Sequence, residues 1–290
     1  ALVWVRIPQP AREAEEEDRK TKGKVWADLR FGWNYLRVRR GLFGLLWYFA
    51  VVNFLLNFGM VLSGPLVLSF SDASSMGVVE AIGGVGMLIG GAIMSAWGGP
   101  KQRIRGIYGG IAIMAGSLLL IGLRAFVPLI AVGFFLMSFS LPLASASSQA
   151  IFQSKVAPNV QGRVFAIRSM ISRSVMPLAS LTAGPLADYF FEPLMQPDGA
   201  LGKTFLGGML GAGAGRGMGL MFVVSGIFLL LVTAYSFTNP HIRRIETDLP
   251  DAVADAAAVA DNAAVADTAA GASAQENAGG AAAGDAAVQN

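Results

Sequence analysis

Apolar residues of this chain are gathered into six blocks, and polar or charged residues separate one block from the next. A helix of roughly 20 apolar residues, rising about 1.5 Å per residue, crosses the hydrocarbon core of a bilayer, which is about 30 Å thick. The pattern therefore predicts an all-α membrane protein with six transmembrane helices. We place the helices at residues 41–70, 75–97, 106–123, 127–152, 164–190 and 217–237.

The segment before the first block is polar and contains three parts. Residues 1–5 form a short apolar stub, which we interpret as the end of a helix cut off upstream, and residues 12–24 form a mixed-charge linker predicted to be solvated. Residues 25–40 show helical spacing of apolar side chains beside several arginines, which predicts an interfacial helix leading into the first span. The apolar stripe of that helix is Trp26, Leu29, Trp33 and Leu36.

The last part of the chain differs from the rest in composition. Residues 250–290 repeat alanine and aspartate and contain no large apolar groups, so the pattern predicts disorder. The predicted domain division is therefore residues 1–40 for stub, linker and interfacial helix, residues 41–238 for the six-helix bundle, and residues 239–290 for a cytoplasmic, alanine- and aspartate-rich disordered tail.

Basic residues flank the apolar blocks unequally. If the first linker is cytoplasmic, 19 of the 22 lysines and arginines lie on the cytoplasmic side, and only Arg124, Lys203 and Arg216 lie on the other. The positive-inside rule predicts such an asymmetry, and shifting the number of spans by one would destroy it. The charge pattern therefore supports six spans and a cytoplasmic carboxyl terminus.

Composition narrows the possible functions further. Only 14% of residues are charged and 54% are hydrophobic, and there is no cysteine, which excludes disulfide, thiolate-metal and cysteine-nucleophile chemistry. No nucleotide-binding G-x-x-x-x-G-K-[ST] motif is present, and the single histidine, His241, lies in a basic juxtamembrane cluster. The basic residues form no aromatic-interleaved stripe, so nucleic acid is not expected as a partner. We predict neither an enzyme nor a bound metal or cofactor.

Amide side chains within the predicted spans are candidates for substrate binding, because polar groups in the membrane usually face a cavity or another helix. Asn53 and Asn57 are four residues apart and share one face of the first span. Gln149 lies in the polar end of the fourth span, where back-bonded serines explain most of the other polar positions. We predict Asn53, Asn57 and Gln149 as substrate-binding residues.

Two charged residues in the predicted spans have both a functional and a structural interpretation. Glu80 in the second span is a candidate proton-coupling group, with a snorkelling interfacial carboxylate as the alternative. Arg173 in the fifth span is a candidate cavity or gating residue, with a place on an amphipathic lead-in helix as the alternative.

Several short motifs resemble one branch of a known transporter family. The strings are Val-Arg-Ile-Pro-Gln-Pro at residues 5–10, Asn53-Phe-Leu-Leu, Gln161-Gly-Arg-Val-Phe-Ala and Gly184-Pro-Leu-Ala-Asp188. They are similar to the macrolide-efflux branch of the drug:proton antiporters in the major facilitator superfamily, over about residues 1–244. The resemblance implies the carboxy-terminal half of a twelve-helix fold in a bacterial inner membrane, with the amino-terminal six-helix half as its missing partner.

The resemblance also implies roles for particular helices and for one loop. In that superfamily the seventh, eighth, tenth and eleventh helices line the pathway, which agrees with the polar spans of this sequence. Residues 98–106 are similar to the family's basic gating loop but lack its acidic residue, so a gating role for Lys101, Arg103 and Arg105 competes with a purely topological one.

The sequence therefore predicts a secondary active transporter that exports an amphiphilic small molecule by alternating access, with proton entry as the drive. Its predicted partners are membrane lipid, protons and the small-molecule substrate. The alternative hypothesis is a non-transporting assembly or sensor subunit whose helices associate through their glycine faces.

Overall fold

A computed structural model describes residues 21–249 and 251–252 of the chain. The predicted stub at residues 1–5 and most of the predicted disordered tail, residue 250 and residues 253–290, lie outside these residues. The described part is helical and contains no strand, which confirms the predicted all-α class. Its helices are α1 Thr21–Val38, α2 Arg40–Leu68, α3 Ala73–Trp97, α4 Arg103–Leu123, α5 Val127–Lys155, α6 Pro158–Leu186, α7 Glu192–Met195, α8 Phe205–Leu210, α9 Arg216–Thr238, α10 Pro240–Arg243 and α11 Ile245–Asp248.

Local sequence explains where the long helices begin and end. The side chain of Asp72 caps α3 by accepting a hydrogen bond from the backbone N–H of Ser75 at 2.9 Å, and Gly98 ends the helix with φ of 74°. Prolines occupy the first turns of α5 and α6, where the missing N–H costs no hydrogen bond. The proline at the start of α6 places that helix six residues ahead of the predicted start at residue 164.

The C-terminal end of α6 has no single capping residue. The helix continues through a π-helical turn at Ala187–Phe191 into α7, and it contains Pro177 and Pro185 in its second half. Proline removes a backbone donor, and a π-turn inserts an extra residue, so both weaken the regular hydrogen-bond ladder. The end of α6 is therefore the most irregular part of the long helices.

Five helices are long and apolar enough to cross a membrane within the part of the chain that the structure describes: α2, α3, α4, α5 and α9. They correspond to five of the six predicted spans. The remaining predicted span, the fifth in the chain at residues 164–190, falls on α6, which has 29 residues but carries Arg163, Arg168 and Arg173 and so is less apolar. A membrane-spanning role for α6 remains a prediction from its length and its packing against α2.

The long helices pack in the spatial order α3, α5, α4, α9, α2, α6, which differs from their order in the chain. α3 and α6 end this row, and α3 leaves most of its side chains uncovered. The core lies among α2, α4, α5 and α9 and contains fully buried residues such as Leu45, Ile111, Leu118 and Phe222.

Small residues allow α3 to approach α5 closely. A Cβ atom added at Gly86 would lie 2.5 Å from the carbonyl oxygen of Phe135, and one added at Gly90 would collide with the carbonyl oxygen of Phe139. The two helices are therefore in backbone contact at these positions, as expected for small residues at a membrane helix interface.

The segment that follows α9 is ordered close to the bundle. Residues 240–248 belong to the predicted disordered tail, but they form α10 and α11, and Ile242 and Ile245 are buried. These two apolar side chains give the segment a hydrophobic anchor that the alanine- and aspartate-rich residues beyond it lack. The predicted tail is therefore wrong for its first residues.

Candidate functional site

Arg168 on α6 is a half-buried arginine in the interior of a long helix, and its guanidinium makes contacts with side chains of two other helices. Its two terminal nitrogens each donate a 3.0 Å hydrogen bond, Nη1 to Oε1 of Gln149 and Nη2 to Oγ of Ser148, both on α5. The guanidinium also lies 4.9 Å from the ring centre of Phe152 and 5.8 Å from that of Phe49. Cation–π contacts and fork-like hydrogen bonds are the interactions that arginine makes best.

A cavity of about 170 Å³ adjoins Arg168, between α2, α4, α5 and α6. Seven of its eleven lining residues are apolar, and the polar ones contribute one guanidinium, one amide and two hydroxyls, so polar and apolar groups share its surface. Such a mixture suits an amphiphilic ligand, because apolar walls supply most of the binding and a few polar groups fix the orientation. The lining residues are Phe49, Val52, Asn53, Leu56, Ile111, Met114, Leu141, Ala144, Ser145, Arg168 and Ser172.

The structure brings two of the three predicted substrate-binding residues to this site. Asn53 lines the cavity, and its Nδ2 donates to the carbonyl oxygen of Phe49 at 2.7 Å, one helical turn earlier. Gln149 orients Arg168. Asn57 makes the same type of bond to the carbonyl oxygen of Asn53, at 2.7 Å, but it is not part of the cavity wall.

Glu80 lies away from this cavity. It is exposed on α3, and within residues 21–249 and 251–252 no hydrogen-bond or ion-pair partner reaches its carboxylate. It is nevertheless the one carboxylate within α2 to α6 and α9. The structure therefore leaves its predicted proton-coupling role as a prediction and places it on an uncovered helix face.

Arg173 is exposed as well, and it has no polar partner in the described part of the chain. The sequence favoured Arg173 as the cavity arginine because of its depth along the helix, but Arg168 borders the cavity. Helical spacing does not separate the two arginines, because Arg168 is four residues before Ser172 and Arg173 is four residues after Ser169.

The three basic residues of the predicted gating loop do not act together in this structure. Arg103 donates from Nη1 to the carbonyl oxygen of Ala150 at 2.9 Å and to Oγ of Ser154 at 3.1 Å. Lys101 and Arg105 are exposed, with no polar side-chain partner among the residues described. Arg103 therefore joins the start of α4 to the end of α5, and the other two cations remain available to groups outside this bundle.

Comparisons with known proteins agree with the transporter resemblance. The sequence model of the Major Facilitator Superfamily matches residues 1–180. Macrolide efflux protein A of Streptococcus pyogenes is 29% identical over 196 residues, which cover 64% of this chain and 46% of that protein. A protein of the same name in Enterococcus faecalis is 29% identical over 186 residues, 61% of this chain and 55% of the relative.

The chain spans about half of the length of the curated relatives it matches. No solved structure matches the chain. The family match and the five apolar helices together identify a multi-pass integral membrane protein, and they confirm the predicted resemblance to the macrolide-efflux branch.

Proposed function

The chain belongs to the Major Facilitator Superfamily, a family of transporters rather than of enzymes, and from this premise we propose that it is the carboxy-terminal half of an exporter for amphiphilic small molecules. The observation that carries the proposal is the cavity beside Arg168. Seven of its eleven lining residues are apolar or aromatic, while Asn53, Ser145 and Ser172 provide hydrogen-bonding groups beside Arg168. The relatives named macrolide efflux protein A support export as the direction of transport.

The charge of the cavity favours one kind of polar group on the substrate. Arg168 can only donate hydrogen bonds, and its two bonds to Gln149 and Ser148 fix the guanidinium in place. A substrate that presents a carbonyl, ether or hydroxyl oxygen toward Arg168 gains a bond to a positioned donor. We therefore expect amphiphiles with hydrogen-bond acceptors to be preferred over those whose only polar group is a cation.

A second six-helix half is the proposed partner of this chain. α3 and α6 end the row of helices, and both expose large apolar side chains that include Leu88, Trp97 and Leu181. The other helices of this bundle bury much more of α4 than of α3. This difference is expected if the uncovered face of α3 packs against another bundle. In the alternating-access mechanism, two such bundles rock about a central site near the middle of the membrane.

Proton entry is the proposed drive, and Glu80 is the proposed proton-sensitive group. A carboxylate that a second bundle covers loses contact with water, which favours its protonated form. One proton exchanged for one substrate molecule against a difference of one pH unit is worth about 1.4 kcal/mol, enough for a tenfold concentration ratio. The proposed location is the bacterial inner membrane with the carboxyl terminus in the cytoplasm, based on the basic residues and the bacterial relatives.

The test is efflux from cells that lack their own drug exporters. The chain would be expressed alone and joined to an upstream six-helix half, and the outward flux of a radiolabelled macrolide and of a neutral fluorescent amphiphile would be measured. We expect flux from the joined protein, dependent on a pH gradient, and none from the chain alone. A joined, folded protein that transports neither probe would favour the alternative of an assembly or sensor subunit.

A further inference from the structure

The residues that follow the last membrane helix form a strap across one end of the bundle. We define the C-terminal strap as residues 239–249, which contain α10 and α11. It lies directly on α2: a Cβ atom added at Gly41 would be 2.6 Å from the carbonyl oxygen of His241, and one added at Gly44 would be 2.8 Å from the side chain of Ile242. The strap is therefore packed on the bundle and is not a loose connection to the residues beyond it.

Glu246 of the strap caps the first turn of α4. Its Oε1 accepts a hydrogen bond from the backbone N–H of Arg103 at 3.0 Å, and its Oε2 accepts one from Ile104 at 3.1 Å. The residue at the N-cap position, Gln102, makes no side-chain cap. The first N–H groups of a helix lack partners within the helix and carry partial positive charge, so a carboxylate is well suited to this position.

Lys155, the last residue of α5, holds the same strap from the other side. Its buried Nζ donates to the carbonyl oxygen of Glu246 at 2.7 Å and to that of Leu249, and it lies 3.1 Å from Oδ1 of Asp251. A cation at the end of a helix is favourable because the last carbonyl groups carry partial negative charge. Glu246 therefore joins the beginning of α4 to the end of α5, through its side chain and its backbone respectively.

The contact of Glu246 with α4 has a consequence for the basic loop before that helix. This loop lacks an acidic residue of its own, and Arg103 at its end is fixed on both sides, by Glu246 through its backbone and by Ala150 through its side chain. We propose that Glu246 is a positioning residue for this basic loop, residues 98–106, because its carboxylate holds the backbone where the loop enters α4. This inference rests on the proposed transport function, because it proposes that the C-terminal strap helps to determine the positions of Lys101 and Arg105 during transport.

Removing Glu246 would have different effects if it were only a structural cap and if it were a positioning residue. Loss of a purely structural cap lowers the amount or the unfolding temperature of the protein, and each folded molecule then transports normally. Loss of a positioning residue lowers the maximal rate of the folded protein while the substrate affinity of the distant cavity stays nearly constant. The two roles are therefore separated by the rate per folded molecule.

The experiment uses the joined, full-length transporter with Glu246→Gln, Glu246→Asp and Asp248→Asn. Asp248 is the matched control, since it is exposed on the same short helix and, among the residues that the structure describes, its side chain accepts a hydrogen bond only from Thr247, its neighbour in the chain. Rates per folded molecule are measured by macrolide flux against the amount of monodisperse protein. We expect Glu246→Gln to lower the maximal rate about three- to tenfold, with KM changed less than about twofold.

A second readout follows the loop itself. This chain contains no cysteine, so Lys101→Cys, with any cysteines outside the chain replaced by serine, gives one labelling site in the loop. With Glu246 present, we expect the rate of maleimide labelling at position 101 to change when substrate is added. With Glu246→Gln, we expect labelling to be faster and its rate to be the same with and without substrate. Glu246→Asp, which keeps the charge, should restore part of both responses.

Each outcome decides between the two roles of Glu246. If Glu246→Gln matches Asp248→Asn in rate and labelling, the proposal is wrong. The same conclusion follows if its lower flux is fully explained by a smaller amount of folded protein, in which case Glu246 is a structural cap. A parent protein that carries no substrate at all would instead contradict the proposed function.

Discussion

Arg168 on α6 and Glu80 on α3 are both charged residues of long helices, but they have opposite surroundings. Arg168 on α6 has hydrogen bonds to Ser148 and Gln149 and borders a cavity. Glu80 on α3 is exposed and has no polar partner in the part of the chain described. Residues of this chain therefore supply the polar partners of Arg168, the candidate substrate contact. The environment of Glu80, the proposed proton-sensitive group, depends instead on what packs against α3.

The largest effect is expected from Glu80→Gln in the joined transporter. Glutamine has nearly the same shape but cannot exchange a proton, so efflux driven by a pH gradient should fall to the level seen without the gradient. For a difference of one pH unit this is a loss of about tenfold in the concentration ratio. Flux is measured in vesicles with an imposed pH gradient, and unchanged gradient dependence would remove Glu80 from the mechanism.

Glu80→Gln should leave the stability of the protein nearly unchanged, because no described contact depends on its charge. The unfolding temperature of the purified chain in detergent, compared with that of the parent chain, provides this control. A clear fall in unfolding temperature would indicate that Glu80 has a structural partner, and the contrast with Arg168 would then disappear.

The next effect is expected from Arg168→Ala, which should lower both transport and stability. The change removes two hydrogen bonds, a part-buried one to Ser148 worth about 1.5–3 kcal/mol and an exposed one to Gln149 worth about 1 kcal/mol, and leaves the hydroxyl of Ser148 without its partner. We expect transport per folded molecule to fall at least about tenfold. Arg168→Lys keeps the charge but loses the forked geometry, so its transport rate and its stability should lie between those of the parent protein and those of Arg168→Ala.

Arg173→Ala is the control for Arg168, since it removes the same charge five residues further along the same helix. Arg173 is exposed and without a described polar partner, so we expect little change in unfolding temperature. A larger loss of transport from Arg173→Ala than from Arg168→Ala would support the role that the sequence predicted for Arg173 and would contradict the site proposed beside Arg168.

A smaller effect is expected from Gln149→Ala. Arg168 would keep its bond to Ser148 and its contact with the ring of Phe152, but its Nη1 would lose its partner. Losing one such hydrogen bond at an exposed position should cost about 1 kcal/mol, which corresponds to about a fivefold lower affinity for substrate. Equilibrium binding of the labelled substrate measures this change, and Gln153→Ala, one turn away, serves as the control.

The smallest effect is expected at the beginning of α3, from Asp72→Ala. Hydrogen bonds from Ser75 and Ser74 hold the pKa of Asp72 below its usual range. The stabilisation is therefore present at neutral pH and is lost as the pH falls through the lowered pKa. Thermal unfolding should show a slightly lower transition for the variant at neutral pH and no difference in strong acid, while Asp72→Asn, another good cap, should resemble the parent protein.

The helices could be predicted well because their signal is strong and local. Long apolar stretches between charged flanks placed α2, α3, α4, α5 and α9 within a few residues of their observed bounds. The strap could not be predicted, because α10 and α11 are too short to show a helical pattern. They are held by Glu246 and Lys155, whose partners lie about a hundred residues away or more.

The candidate site was only partly predictable for a similar reason. The sequence identified Asn53 and Gln149 as polar groups in apolar helices, and the structure places both beside Arg168. It favoured Arg173 because depth along a helix can be counted, whereas the rotation of α6 against α5 cannot. That rotation decides which arginine meets the side chains of Ser148 and Gln149.

The tight contact at Gly86 and Gly90 limits how α3 can move against α5. A Cβ atom at either position would collide with a carbonyl oxygen of α5, so no space remains between the two backbones. In the proposed transport cycle these two helices therefore move together as one stiff wall. The flexing that the cycle needs would fall to the opposite wall, where Pro177, Pro185 and the π-turn already interrupt the backbone of α6.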